Sequence, residues 1–280
     1  MNIGIIGYGS MGKMLAEKFL AAGIVQKSSL FIANRTQEKL HDIADRATVC
    51  PTNADAARQA DFLFVCVRPG DIKCVLAEVA GVLKKDALLI SLNGSVSFAQ
   101  LERILAKTAG RDRRCRIAKV IPSVTAEINR SQTLVCYTDT ASEKDRQALT
   151  QLLGCMGRVI ELPENELGMG SELVSCMPGF IAAMFDVVCR SAQKHTAIPS
   201  GQIVQMVLQT VSATSELMLT RNMTFEDVVA RVATKGGITE EGSKVLYELF
   251  PEAADLLFAK TLEKRRLTAQ KAAAAFEQDL

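Results

Sequence analysis

Gly7-Tyr8-Gly9-Ser10-Met11-Gly12 stands six residues into the chain, between the apolar run Asn2–Ile6 and an amphipathic stretch, Met11–Ala22, that carries Leu15, Phe19 and Leu20 on one face. A strand that passes through such a turn into a helix leaves few architectures open. In this context each glycine has its own duty. Gly7 permits the tight turn, Gly9 lets the backbone approach a pyrophosphate, and Gly12 lets helix and strand pack closely. The helix N-terminus adds unpaired N–H groups and the positive end of a dipole. Gly7, Tyr8, Gly9, Ser10, Met11 and Gly12 are therefore candidate dinucleotide-binding residues. A glycine-rich turn without a ligand is the competing reading.

Downstream, short apolar runs alternate with helical patterns, as in the βαβ units of a parallel sheet. Strands are predicted at Ser29–Ala33, Thr48–Cys50, Asp61–Val67, Ala87–Leu92 and Ile117–Ile121. Two later ones, Gln132–Tyr137 and Arg158–Glu161, flank a helix at Ser142–Leu153. Phe62–Val67 and Ala87–Ile90 are apolar throughout, which suits strands buried on both faces. A helix capped by Thr36 is expected to reach Ala44. After about Pro163 the strand signals vanish. Helical patterns then cover Glu166–His195, Ser200–Arg221, Thr224–Ala233, Glu240–Leu249 and Pro251–Glu277, with a kink or break at Pro178. Ile203, Val204, Val207, Leu208 and Val211 recur at helical spacing.

The expectation is an α/β chain. Its N-terminal Rossmann domain, a doubly wound sheet, covers residues 1–162, and a C-terminal all-α dimerisation domain covers residues 163–280. A helical half this apolar needs covering, and a second subunit is the simplest cover.

The 280 residues are 48% hydrophobic and carry a net charge of +2, so the balance calls for neither nucleic acid nor an anionic membrane as partner. The densest basic run, Arg111, Arg113, Arg114 and Arg116, reads as a solvated loop before a strand. Eight cysteines are scattered without a CxxC pair and two histidines, His41 and His195, lie far apart, so no metal site is expected. Thiols inside apolar segments suit a reducing compartment. The N-terminus lacks the basic leader of a signal peptide. No stretch is expected to reach the roughly 20 apolar residues of a membrane span. These features point to the cytoplasm.

The end of the second strand selects the cofactor. An NAD enzyme usually places Asp or Glu there, on the ribose 2′-hydroxyl. This chain reads Ala33-Asn34-Arg35-Thr36. No carboxylate repels a 2′-phosphate, Arg35 can pair with it, and Asn34 and Thr36 can donate hydrogen bonds. NADP(H) is favoured, with NAD(H) as the alternative. In the opposing reading Arg35 is a surface residue and Thr36 a helix cap. Val67-Arg68-Pro69 and Asn93-Gly94 follow the fourth and fifth strands, which places them beside the nicotinamide half. A plain turn is the alternative for Asn93-Gly94.

At these residues the chain resembles the pyrroline-5-carboxylate reductase family. The opening glycine motif, the Asn-Arg-Thr after the second strand and Val67-Arg68-Pro69 are similar to that family's motifs. So are Gln209-Thr210-Val211 and the segment Val232-Ala233-Thr234-Lys235-Gly236-Gly237-Ile238-Thr239 with Gly242 and Lys244-Val245-Leu246. The resemblance implies hydride transfer from NADPH to the ring imine of 1-pyrroline-5-carboxylate, giving L-proline. It implies that Thr239 offers its hydroxyl to the ring nitrogen and that the amides around Gly236 and Gly237 receive the substrate carboxylate. Thr234 and Ile238 would complete the substrate site, and Pro122 would join the cofactor residues. Without the resemblance, Lys235-Gly236-Gly237 is a good loop and Thr239 a good N-cap. The resemblance also implies a homodimer with interleaved C-terminal helices, or a ring of such dimers.

The chain departs from the family at Pro122-Ser123-Val124-Thr125, at Ser175-Cys176-Met177-Pro178-Gly179-Phe180, at Lys235 and at Asn93. The Val-Ile-Pro-Ser and Lys-Gly-Gly-Ile-Thr forms are closer to the late-competence ComER branch. Two further readings thus stay open: a paralogue that binds NADP(H) with little or no turnover, and a reductase of another cyclic imine. A hydroxyacid dehydrogenase of similar architecture would need a lysine followed one helical turn later by asparagine, and Lys194 comes too late on its helix.

Overall fold

The computed structural model describes residues 1–109 and 115–277. Eight strands form one sheet: β1 (Ile3–Ile6), β2 (Leu30–Ala33), β3 (Thr48–Val49), β4 (Phe62–Val65), β5 (Leu88–Ser91), β6 (Arg116–Ile121), β7 (Ser131–Tyr137) and β8 (Gly157–Glu161). Their order is β3-β2-β1-β4-β5-β6-β7-β8, and every pairing is parallel except β6 with β7. This is the doubly wound sheet that the alternating pattern predicts, and the order reverses between β1 and β4. Register brings Ile6, Ala33, Val65 and Ser91 level. The loops that leave them therefore open onto one edge.

Five helices cover the sheet: α1 (Ser10–Ala21), α2 (Asn53–Gln59), α3 (Ile72–Val79), α4 (Phe98–Ala109) and α5 (Glu143–Leu153). On one face α1 buries Leu15, Ala16 and Phe19, and Phe19 meets Phe64 with ring centroids 5.5 Å apart. Burying a Phe of this kind contributes about 1.5–3 kcal/mol. On the other face α3 buries Ile72, Val75, Leu76 and Val79, the i, i+3, i+4, i+7 stripe of an amphipathic helix. Ser142 and Asp145 cap α5 reciprocally.

The helix expected from Thr36 to Ala44 is replaced by a 3-10 turn, Gln37–Leu40. Leu40 and Ile43 alone anchor this segment in the core, too few apolar positions to hold a longer helix. Of the basic run, Arg111, Arg113 and Arg114 lie outside the described residues. Arg116 belongs to β6 and pairs with Asp86 and Asp145.

The helical half contains α6 (Leu167–Ser171), α7 (Met177–Gln193), α8 (Ser200–Arg221), α9 (Phe225–Val232) and α10 (Ile238–Glu277). Three expectations are corrected here. Pro178 causes no break: a π-helical turn, Glu172–Cys176, precedes it and accommodates the missing N–H. The helical run Glu164–Gln193 is consequently 30 residues long, with a window of mean hydropathy 1.6, so one segment does have the length and composition of a membrane span. Pro251 does not separate two helices either, but lies inside the 40-residue α10.

The chain divides into two compact units, Met1–Cys176 with Leu262–Leu280, and Met177–Thr261. This differs from a boundary at residue 162, because the end of α10 returns to the sheet unit, where Ala272 is buried. Within the second unit α8 buries Ile203 and is closed by Asn222 in the left-handed region, φ 51°. Val204, Leu208, Leu219 and Phe225 remain exposed there.

Candidate active site

The crevice forms where strand order reverses, at the carboxyl ends of β1 and β4. Gly7 has φ 94°, and a Cβ on it would lie 2.6 Å from the Cys66 carbonyl oxygen. A Cβ on Gly12 would lie 2.0 Å from the Gly7 carbonyl oxygen, so α1 packs onto the turn only because that residue is glycine. A Cβ on Gly9 would meet nothing within 4 Å. Gly9 is the N-cap of α1 without a side-chain hydrogen bond, and the first turn holds no acidic residue. Open space, uncapped N–H groups and no competing carboxylate are what a pyrophosphate requires. Ser10 and Met11 are exposed beside it.

Tyr8 contributes only backbone here. Its side chain is 3% exposed, and burial pushes its phenol up to about 12. Its N–H donates to Asn34 Oδ1 at 2.9 Å, while Asn34 Nδ2 donates to the Thr36 carbonyl at 2.8 Å. Asn34 thus ties the glycine turn to the end of β2, a structural duty that its place in the motif does not reveal. Arg35 is 90% exposed and touches Asp71 only at 3.9 Å. Thr36 makes no capping hydrogen bond. Both are placed as an open donor pair at the rim.

Val67, Arg68 and Pro69 follow β4, and Pro69 opens a 3-10 turn. Asn93 is buried and closes its own turn by accepting from the Ser95 N–H at 2.7 Å. A Cβ on Gly94 would lie 3.1 Å from Ile121 Cδ1 and 3.9 Å from Arg265 Nη1. Pro122 is buried at the end of β6.

Arg265 comes from the returning end of α10. Its Nε and Nη2 donate to Glu172 Oε1 at 3.0 and 2.8 Å, and Nη2 also donates to Ser171 Oγ at 3.1 Å. Glu172 is 2% exposed, and its Oε2 has no hydrogen-bond partner. No sequence motif singles out either residue. The one signal in the sequence is a lone carboxylate in the apolar run that leads to Phe180.

In the second unit Gly236 has φ 72° and precedes α10. Its N–H donates to the Glu240 carboxylate, and the Gly237 N–H donates to the Thr234 carbonyl at 2.8 Å. A Cβ on Gly237 would lie 2.3 Å from Thr234 Oγ1. The amides expected to wait for a substrate carboxylate are therefore engaged within the loop. Ile238, 94% exposed, begins α10, and Thr239 is exposed in its first turn rather than at its N-cap.

Two family models match the chain. One, described as NADP oxidoreductase, coenzyme F420-dependent, matches residues 2–94; the other, described as pyrroline-5-carboxylate reductase dimerisation, matches residues 164–267. The ComE operon protein 4 of Bacillus subtilis is 28% identical over 249 residues, 88% of each chain. The fold is shared with the crystal structure of Plasmodium falciparum pyrroline carboxylate reductase with NADP bound, at TM-score 0.80 and 20% identity, covering 99% of this chain and 98% of that one. Pyrroline-5-carboxylate reductase 3 of Bacillus subtilis is 30% identical over 273 residues, 96% of this chain and 97% of that protein, and with that likeness spanning both units the chain belongs to the pyrroline-5-carboxylate reductase family.

Proposed function

We propose that the protein reduces 1-pyrroline-5-carboxylate to L-proline with NADPH. One observation carries the reading: the glycine turn is open at Gly9 and uncapped in a chain that is 30% identical, end to end, to a relative named for this reaction. Gly7–Gly12 would hold the pyrophosphate. Arg35 and Thr36 would hold the 2′-phosphate, and NAD(H), which lacks it, would bind more weakly. Val67, Arg68, Pro69, Asn93, Gly94 and Pro122 would border the nicotinamide. The bound cofactor supplies a hydride.

The residues of the chain do the rest. A protonated pyrroline is already an electrophile, so no strong acid is required, and holding the imine carbon in place accounts for much of the rate. The Thr239 hydroxyl accepts from the ring N–H of the iminium and orients the ring. Thr234, Gly236, Gly237 and Ile238 shape the loop beneath it.

Self-association belongs to the same proposal. The dimerisation match at residues 164–267 covers the long apolar helix, and Leu219, Phe225 and Ile238 are 81, 79 and 94% exposed. Burial against a second copy explains these residues without lipid. A homodimer, or a ring of dimers, in the cytoplasm is the expected form. A second reading, a paralogue that binds NADP(H) with slow turnover, is favoured by the Glu240 carboxylate sitting on the Gly236 amide.

The test mixes protein, NADPH and 1-pyrroline-5-carboxylate and follows nicotinamide absorbance, with NADPH binding titrated in parallel. Substrate-dependent oxidation is expected. Tight NADPH binding without oxidation would transfer the assignment to the second reading.

A further inference from the structure

An NAD enzyme of this fold class carries its ribose-binding carboxylate at the end of the second strand, where this chain has Asn34-Arg35-Thr36. The fold brings a carboxylate to the same place from another loop. Ile6 of β1 is level with Ala33 of β2 on one side and with Val65 of β4 on the other. The loops that leave β2 and β4 therefore flank the glycine turn. Arg35 stands on the first and Asp71 on the second, and the guanidinium and the carboxylate meet at 3.9 Å. Both residues belong to the sheet unit.

Asp71 does not serve its own helix. It is the N-cap of α3, a position where an aspartate commonly accepts from the first turn, yet its carboxylate makes no capping hydrogen bond. It turns to Arg35 instead. The two side chains are 90% and 48% exposed, so a cofactor lying on the glycine turn can reach both. An exposed pair of this kind holds little of the fold together.

The two nicotinamide cofactors differ in one group at this place. A 2′-phosphate carries about two negative charges. Seated on Arg35, it lies beside the Asp71 carboxylate, which repels it and competes for the guanidinium. A ribose 2′-hydroxyl is neutral and donates to a carboxylate.

We propose that Asp71 is a specificity-determining residue for the cofactor. It weakens NADPH binding at Arg35, and it strengthens NADH binding by accepting from the ribose 2′-hydroxyl. The inference rests on the reading of Arg35 at the 2′-phosphate and is independent of which imine is reduced.

The test measures Kd for NADPH and for NADH by nicotinamide fluorescence titration of the full-length protein. Wild type is compared with Asp71→Asn and Asp71→Ser, which remove the charge and keep a good N-cap, so that α3 is preserved. Both variants should bind NADPH about threefold or more tighter and NADH about threefold or more weaker, the scale of one exposed charge contact. A purely structural role for Asp71 would shift both cofactors in the same direction. Shifts of the same sign, no shift, or no NADH binding by wild type would overturn the proposal. Arg35→Ala is titrated alongside: NADPH affinity unchanged there would remove Arg35 from the 2′-phosphate, and the role of Asp71 with it. If wild type binds both cofactors but reduces no imine, the reductase reading fails on its own, and the titrations still decide on Asp71.

Discussion

Gly9 and Gly12 are three residues apart in one motif, yet alanine should act on them in opposite ways. At Gly12 the new Cβ would fall 2.0 Å from a carbonyl oxygen of the turn. That atom is backbone and cannot rotate away, so α1 must lift from the sheet. Overpacking of this severity costs about 3 kcal/mol. The better helix propensity of alanine offsets about 1 kcal/mol of that. The net loss of about 2 kcal/mol lowers Tm by roughly 4–8 °C in a domain of this size. At Gly9 the backbone angles are φ −87° and ψ −163°, extended and open to any residue, and an added Cβ would meet no atom within 4 Å. Alanine there should leave Tm unchanged or slightly raised, because it restricts the unfolded chain by about 0.4–1 kcal/mol. It would occupy the space proposed for the pyrophosphate, and NADPH affinity should fall by about tenfold or more. Thermal unfolding followed by circular dichroism gives the first quantity and nicotinamide fluorescence titration the second. Equal Tm losses, or NADPH bound by Gly9→Ala as tightly as by wild type, would refute the division of labour.

Other outcomes follow from the same geometry. Arg35→Ala should raise the NADPH KM by about tenfold or more and leave the NADH KM nearly unchanged, since an exposed arginine with one 3.9 Å contact has little structural duty; equal effects would remove it from the 2′-phosphate. Thr239→Ala should lower kcat while NADPH affinity in a fluorescence titration stays the same, and an unchanged rate would leave Thr239 as a helix-start residue. Lys119 is 1% exposed on β6 and pairs with Glu164, which also accepts the Phe98 N–H at 2.8 Å. Glu164→Ala should therefore cost about 2–4 kcal/mol in denaturant unfolding, and Lys119→Met with Glu164→Gln much less, because the first strands a buried ammonium and the second removes it. Similar midpoints for the two would show that the pair is well solvated.

Local chemistry makes much of this protein legible in its amino-acid order alone. The glycine turn, the apolar strands and the capping boxes at Ser142 and Thr224 depend on residues within one turn of each other. So does the absence of an acid after β2, which points to the cofactor. The likeness of Thr234–Thr239 to a known family is the ground on which a substrate site is proposed there. Residue spacing did not foresee the single long α10, because a proline normally stops a helix and here Pro251 lies inside one. Nor could it show how polar groups are shared. Asn34 looks like a ligand donor in sequence, but the register of β1 with β2 turns it to the Tyr8 N–H. Gly236 looks like a free amide until Glu240 folds back onto it. Glu172 and Arg265 are 93 residues apart, and only the return of α10 to the sheet brings the carboxylate and the guanidinium together beside Gly94. Periodicity and turn chemistry are decided over a few residues by the backbone itself. Hydrogen-bond partners of buried polar groups are decided by which elements the fold places side by side.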